Sequence, residues 1–433
     1  MKKFRATFVA LAIVLVLAAY MVFTGRENPA TDMEAPMIFG VNSDTMRRIH
    51  IAHGDNEVTV EKDNDRTWVV DAPETYEISQ EAVNALVMAI ADAKFEKEVE
   101  DDPRDLEAFG LSSPDTSIVV EGDRRGKKAL LVGSVTPVGS GYYVKAEDDT
   151  RVWVIPAAMA DALIKTVDDL REKKIVKASS ESCDGIRIVR RMEDDITDVI
   201  CQRQGEDWYL TRPIIDKADK GLIDGLLADI TGLTVDSFVD DEGSDLSRFG
   251  LDRPRLRIDL TVAGRGTALQ VFVGDPGPNE EGFYVKTGDS PAVYLVKPLN
   301  FSALWLTPPD LVDSQLAKWD HGKAATTATW TLGDKPFPPV SSGLDTLLAT
   351  LQDIWITGVG ESLEYDVDLD SFGFRNPRIY VQLDFGDGNI FEVKVGKEIE
   401  EGFYAIVTGR NFVYLVAKDG IKALDETLRE LSP

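Results

Sequence analysis

The sequence is poor in the residues that most protein chemistry needs. Three histidines and two cysteines serve 433 positions. Cys183 and Cys201 are too few for a disulfide framework or a thiolate zinc site, and no C-x-x-C occurs. They admit one bridge across a hairpin or two buried thiols, because strand register cannot be read from spacing. His50 and His53 stand three apart on a predicted strand, so they face opposite sides and cannot jointly clasp a metal. His321, in Trp319-Asp320-His321-Gly322, reads as solvent-exposed, and so do the other two. No nucleophile elbow, H-E-x-x-H or Walker loop is present. Gly133, Gly139 and Gly141 fall between strands and not ahead of a helix, as a hairpin loop does and a phosphate cradle does not. Bases are also scarce: 47 Lys and Arg against 75 Asp and Glu leave a net charge of −28. That balance disfavours nucleic-acid binding and peripheral docking on anionic lipid, both of which draw on Lys and Arg. It fits a solvated, self-repelling surface.

Apolar residues make up 43% of the chain, enough to bury cores, and the length suits two to four domains. Lys2, Lys3 and Arg5 precede an apolar run from Ala6 to Phe23. Eighteen helical residues rise about 27 Å, enough for a hydrocarbon core. A cleaved signal peptide has the same charged front, but this run exceeds the usual length and no small-x-small site follows it. The reading is therefore residues 1–25 as cytoplasmic tip and transmembrane anchor, with 26–44 as linker. Positive residues stay cytoplasmic, so the bulk lies outside. The first 26 residues hold four bases and no acid, which leaves −32 on the remainder.

The remainder repeats itself. Trp68, Trp208 and Trp330 each precede a helical stripe: Val83/Leu86/Val87/Ile90, Ile223/Leu226/Leu227/Ile230 and Leu344/Leu347/Leu348/Leu351. Each stripe has the i, i+3, i+4, i+7 spacing of one buried helix face. Ser79 and Asp219 are expected N-caps. A signature follows: Asp105 with Phe109-Gly110-Leu111 and Pro114, Asp245 with Phe249-Gly250-Leu251 and Pro254, Asp368 with Phe372-Gly373-Phe374 and Pro377. The aspartate can cap one helical turn, the glycine can take the left-handed position that ends it, and the proline prevents continuation. Counting back from the glycines places Leu106, Leu246 and Leu369 where a Schellman closure meets the apolar residue after Gly. Short apolar runs split by Gly, Asp and Asn loops then predict antiparallel hairpins, such as Leu256–Val262, 268–274, 282–286 and Val293–Val296. A closing helix is expected near 157–170, 299–306 and 419–431. The fold class is α+β: a single N-terminal transmembrane helix and three tandem modules of antiparallel strands, each with one main amphipathic helix and a short closing helix. The modules span 45–177, 182–316 and 317–433. The third has a truncated start, lacking the hairpin that 186–191 and 199–204 form in the second.

The ordered set of Trp, amphipathic helix, Phe-Gly-Leu-x-x-Pro, Val132-Gly133, Tyr143-Val144 and Val413-Tyr414-Leu415-Val416, in triplicate, resembles the domain-of-unknown-function 4340 family from about Ile49 onward. The third copy departs from it in its shortened start and in Phe374. The resemblance implies a bacterial protein, anchored in the cytoplasmic membrane by one helix, with its bulk in the periplasm or extracytoplasmic space. It also implies an accessory role beside an ABC-type transporter, with transporter subunits as partners. It carries no catalytic residues and no cofactor.

Acid clusters are the remaining candidates for chemistry. Asp366, Asp368 and Asp370 mimic the start of a calcium loop, although Ser371 and Pro377 stand where Gly and Glu belong. Glu98 to Asp105 and Asp236 to Asp245 are acid-rich at equivalent places. They read as solvated loops or as weak divalent-ion features. Three functions stay open: a non-enzymatic, membrane-tethered partner-binding protein, an extracytoplasmic carbohydrate-active enzyme using loop carboxylates, and a calcium-dependent scaffold.

Overall fold

The computed structural model describes residues 35–432, apart from 65, 73–75, 124–125, 193–194, 298–305, 320–323, 364–366 and 387. The expected anchor, nearly all of the closing helix near 299–306, His321 and Asp366 lie outside the described residues. Among the described residues no helix is long and apolar enough to cross a membrane.

Two compact units form, the first ending at Glu172 and the second running from Lys173. The first unit holds β1 (Met46–His53), β2 (Asn56–Lys62), β3 (Trp68–Ala72), α1 (Gln80–Asp92), β4 (Lys97–Glu100), β5 (Thr116–Gly122), β6 (Gly126–Val135), β7 (Gly141–Ala146), β8 (Val152–Pro156), α2 (Ala157–Leu163) and α3 (Val167–Leu170). Its eight strands make one antiparallel sheet in the order β3-β2-β1-β5-β6-β7-β8-β4. The apolar stripe of α1, Val83, Leu86, Val87 and Ile90, is buried against this sheet, and the Ser79 side chain caps the helix by accepting the Ala82 N–H at 3.2 Å.

The second unit holds two more sheets. One comprises β9 (Cys183–Met192), β10 (Asp195–Gln204), β11 (Asp207–Arg212), β12 (Asp216–Lys217), α4 (Lys220–Thr231), β13 (Ser237–Asp240), β14 (Leu256–Val262), β15 (Leu269–Pro276), β16 (Phe283–Thr287) and β17 (Val293–Val296). The other comprises β18 (Thr327–Leu332), β19 (Lys335–Pro336), α5 (Leu344–Gln352), β20 (Ile356–Ser362), β21 (Ile379–Asp384), β22 (Ile390–Glu398), β23 (Phe403–Val407), β24 (Phe412–Val416) and α6 (Lys418–Glu430). Their orders are β12-β11-β10-β9-β14-β15-β16-β17-β13 and β19-β18-β21-β22-β23-β24-β20. The stripes of α4 and α5 enter a single apolar cluster that runs through both sheets. Asp219 caps α4 by accepting the Leu222 N–H at 2.9 Å, whereas α5 opens at Gly343 in a left-handed conformation.

Three expectations need correction. Residues 36–41, assigned to the linker, join the first core: Ile38, Phe39 and Val41 are buried, and the Ile38 N–H bonds the Ala93 carbonyl at 2.9 Å. The first closing helix is broken in two, because Thr166 and Asp169 form a capping box that starts α3 afresh. Trp330 follows its relatives in sequence but not in place. Trp68 and Trp208 lie on β3 and β11, with two strands between them and β5 or β14, while β18 pairs directly with β21. The missing hairpin explains this. Removing two antiparallel strands leaves the next one running the same way, so it can take the vacant position beside β21.

Candidate functional site

The repeated signature folds into one corner, three times. Leu111, Leu251 and Phe374 each donate their N–H to the carbonyls of Leu106, Leu246 and Leu369, at 2.9 Å in every case. Gly110, Gly250 and Gly373 donate to Glu107, Ser247 and Asp370 at 2.9, 3.2 and 3.0 Å. This bond pair is a Schellman closure, and the glycines sit at φ of 69°, 67° and 82°, where a Cβ would be strained. Each corner rests on the strand that carries the Val-Gly pair. A Cβ on Gly133, Gly274 or Gly396 would overlap the carbonyl oxygen of Phe109, Phe249 or Phe372. The phenylalanines then meet a tyrosine on the neighbouring strand: Phe109 with Tyr143, Phe249 with Tyr284 and Phe372 with Tyr404, ring centres 5.0, 4.9 and 4.8 Å apart. The tilted or edge-on geometry is the favourable one for such rings.

The acids of the signature serve the turn. Asp105 accepts the N–H of Glu107 at 3.0 Å, and Asp368 accepts that of Asp370 at 3.1 Å. Asp245 instead accepts the Ser247 hydroxyl at 2.6 Å, which holds its carboxyl below the usual range. In the acid-rich stretch before that corner, Asp240 accepts the N–H groups of Glu242 and Gly243, both at 3.0 Å. Asp236 accepts the Lys297 N–H at 2.7 Å. Asp370 pairs with Arg375 at 2.8 Å. Among the described residues no group of three or more His, Cys, Asp or Glu is placed to hold a metal ion.

The first unit carries a cleft of about 730 Å³ lined by His53, Asp115, Tyr142, Asp161, Lys165 and Asp169 among others. Three of these side chains are already engaged. His53 Nδ1 lies 2.6 Å from the Thr116 hydroxyl, Lys165 Nζ donates to the Asp161 carbonyl at 2.6 Å, and Asp169 accepts the Thr166 N–H at 2.9 Å. His50, half-buried, contacts the Thr59 hydroxyl at 2.9 Å. No spacing in the sequence marks this cleft, since its walls come from strand ends and a helix break.

A second polar feature also escaped sequence reasoning. Asp216, on β12, has a fully buried side chain in the core of the second unit. Arg410 Nε donates to it at 3.0 Å, and the Tyr414 hydroxyl donates to its other oxygen. The same guanidinium donates to the carbonyls of Gln315 at 2.7 Å and Asp313 at 2.9 Å. Burial and the Asp216 carboxylate push the Tyr414 hydroxyl up. This node ties the second sheet, the segment 313–315 and the third sheet together.

Cys183 and Cys201 are free and buried. Burial pushes the Cys201 thiol up to about 12.

The sequence pattern of a family described as a domain of unknown function (DUF4340) matches residues 68–206 and 208–336, together more than half of the chain. Each matched stretch starts at a tryptophan strand and runs into the strands that open the next sheet, and the third corner lies beyond both. No curated protein and no solved structure matches the chain.

Proposed function

The chain belongs to the DUF4340 family, and from that premise we propose that it is a non-enzymatic, membrane-tethered extracytoplasmic protein serving as an accessory subunit of an ABC-type transport system. The observation that carries this reading is what the repeated residues do. The phenylalanine and both glycines of each signature go into closing a turn and seating it on a strand in all three sheets, and the aspartate braces the turn through a backbone N–H in two of them and a serine hydroxyl in the third. Residues repeated for that purpose build a scaffold, and a scaffold of serial sheets offers extended surface for a partner. The apolar run from Ala6 to Phe23 supplies the tether. Tethering raises the effective concentration of the sheets near a membrane partner without any new contact. The identity of the partner rests on the family resemblance.

Extraction of the full chain from membranes in mild detergent, followed by affinity purification, tests the reading. Stoichiometric recovery of transporter membrane subunits is expected. Recovery of the bare protein, or its presence in the soluble fraction without detergent, overturns it. The cleft supports the second reading, a carbohydrate-active enzyme, because the Asp115 and Asp161 carboxylates line it. Turnover of glycoside substrates that disappears in Asp115→Asn or Asp161→Asn would favour that alternative.

A further inference from the structure

One sheet face departs from the acidity of the rest. Outward positions of the second sheet, on the side away from α4, alternate with the buried Ile186, Ile188, Leu256 and Ile258. On β9, β10 and β14 to β16 these positions hold four basic side chains, Arg187, Arg191, Arg257 and Lys286, against two acids, Asp198 and Asp259. The same face of the first sheet balances Arg48, Lys127 and Lys145 with Glu57, Glu61 and Glu121. In the third sheet Lys394 faces Asp384 and Glu392. Among the described residues of these strands the second sheet alone is basic on this side, in a chain of net charge −28.

We propose that this outward face of the second sheet docks an acidic, apolar-studded segment of a partner protein. Arg187 grips Asp198 with a two-pronged fork, Nε at 2.8 Å and Nη2 at 2.9 Å, which holds its guanidinium plane in a fixed orientation. Arg212 donates to the same carboxylate at 2.8 Å. Carboxylates already seat well here, and a pre-oriented guanidinium loses less entropy when a second acid arrives. Ile196, 53% exposed, stands directly opposite Arg191 across the hairpin and offers apolar contact beside the charge. Arginine beside an exposed apolar side chain is the composition of a protein interface, whereas anionic lipid is drawn by clusters of about four to eight Lys and Arg not answered by acids, and here Asp198 and Asp259 answer them. The surrounding acidity repels polyanions at long range, so the face acts only within about 10 Å, the screening length at moderate salt.

This inference deepens the partner-binding reading and rests on it. The test uses the full chain in detergent with a fluorescent peptide of mixed glutamate and leucine, beside phosphatidylglycerol vesicles. Expected is peptide binding at low salt that weakens at least tenfold in the Arg191→Glu variant and several-fold in Arg191→Gln. Lys127→Glu, on the first sheet, leaves it unchanged. Absence of peptide binding, indifference to both arginine variants, or binding to vesicles in preference to peptide overturns the proposal. If transporter subunits co-purify equally with the charge-reversed variant, the docking face falls while the accessory role stands. If the peptide binds but no subunit co-purifies, the reverse holds.

Discussion

The second and third sheets share a corner, a helix stripe and a core, yet differ by one hairpin, and that difference shows which parts of the module are obligatory. Trp208 sits on the third strand out and donates its indole N–H to Asp224 of α4 at 2.9 Å. Trp330 has moved inward by two strands, is 1% exposed, and leaves its indole N–H without a hydrogen-bond partner among the described residues. Its would-be acceptor, Asp345, is exposed at the matching place on α5. The outward faces diverge as well. Arg257 and Gln270 converge on Asp259 in the second sheet, whereas Tyr380 and Gln382 converge on Glu392 in the third. Hairpin and surface chemistry are free to vary, while the glycine-closed corner is held.

Removing the contact that joins the two sheets should have the largest effect. Arg410→Met leaves the Asp216 charge buried without its cation, at an expected cost of about 3–5 kcal/mol. Denaturant unfolding of the full chain would then show the second unit melting well before the first. Coincident melting at the native midpoint would mean that the node contributes nothing to the joint core.

Next come the corners. Gly274→Ala and Gly396→Ala each force a Cβ into a carbonyl oxygen and should cost about 1–3 kcal/mol, nearly equally, by thermal melting. A cost confined to one sheet would break the equivalence. Trp208→Phe should cost about 1 kcal/mol more than Trp330→Phe, since only the former loses a hydrogen bond. Equal losses would mean that the indole bond is energetically idle.

A pH difference is smaller still. Burial, then the bond to Glu392, push the Tyr380 hydroxyl up to about 12. The folded state therefore holds this proton more tightly than the unfolded chain, where tyrosine titrates near about 10. The stability that this contributes is full below the lower value and is lost as pH rises between the two. Tyr380→Phe should flatten the alkaline decline of the second unit and leave that of the first unaffected. The thiols, confined to the second sheet, should resist alkylation at mildly basic pH and both react once the chain is unfolded without reductant. A thiol count below two after unfolding would indicate a bridge.

Much of this was legible in the residues. The stripes gave the helices, Ser79 and Asp219 gave two caps, and the spacing from Leu106 to Leu111 gave the corner, because each is a local pattern with a local cause. The break before α3 was also written locally, in Thr166 and Asp169 three places apart. Packing of Ile38, Phe39 and Val41 was masked by the polar, proline-containing stretch around them. Asp216 and Arg410 stand 194 positions apart, and no periodicity links a strand residue to a distant hairpin loop. The cleft and the basic face arise the same way, from strands brought side by side.

Amide hydrogen exchange at Leu111, Leu251 and Phe374 tests the central claim most directly. These three N–H groups close the corner in each sheet, so one shared scaffold predicts strong protection at all three, lost together with the local sheet. Free exchange at any one of them, with its sheet still folded, would contradict the account.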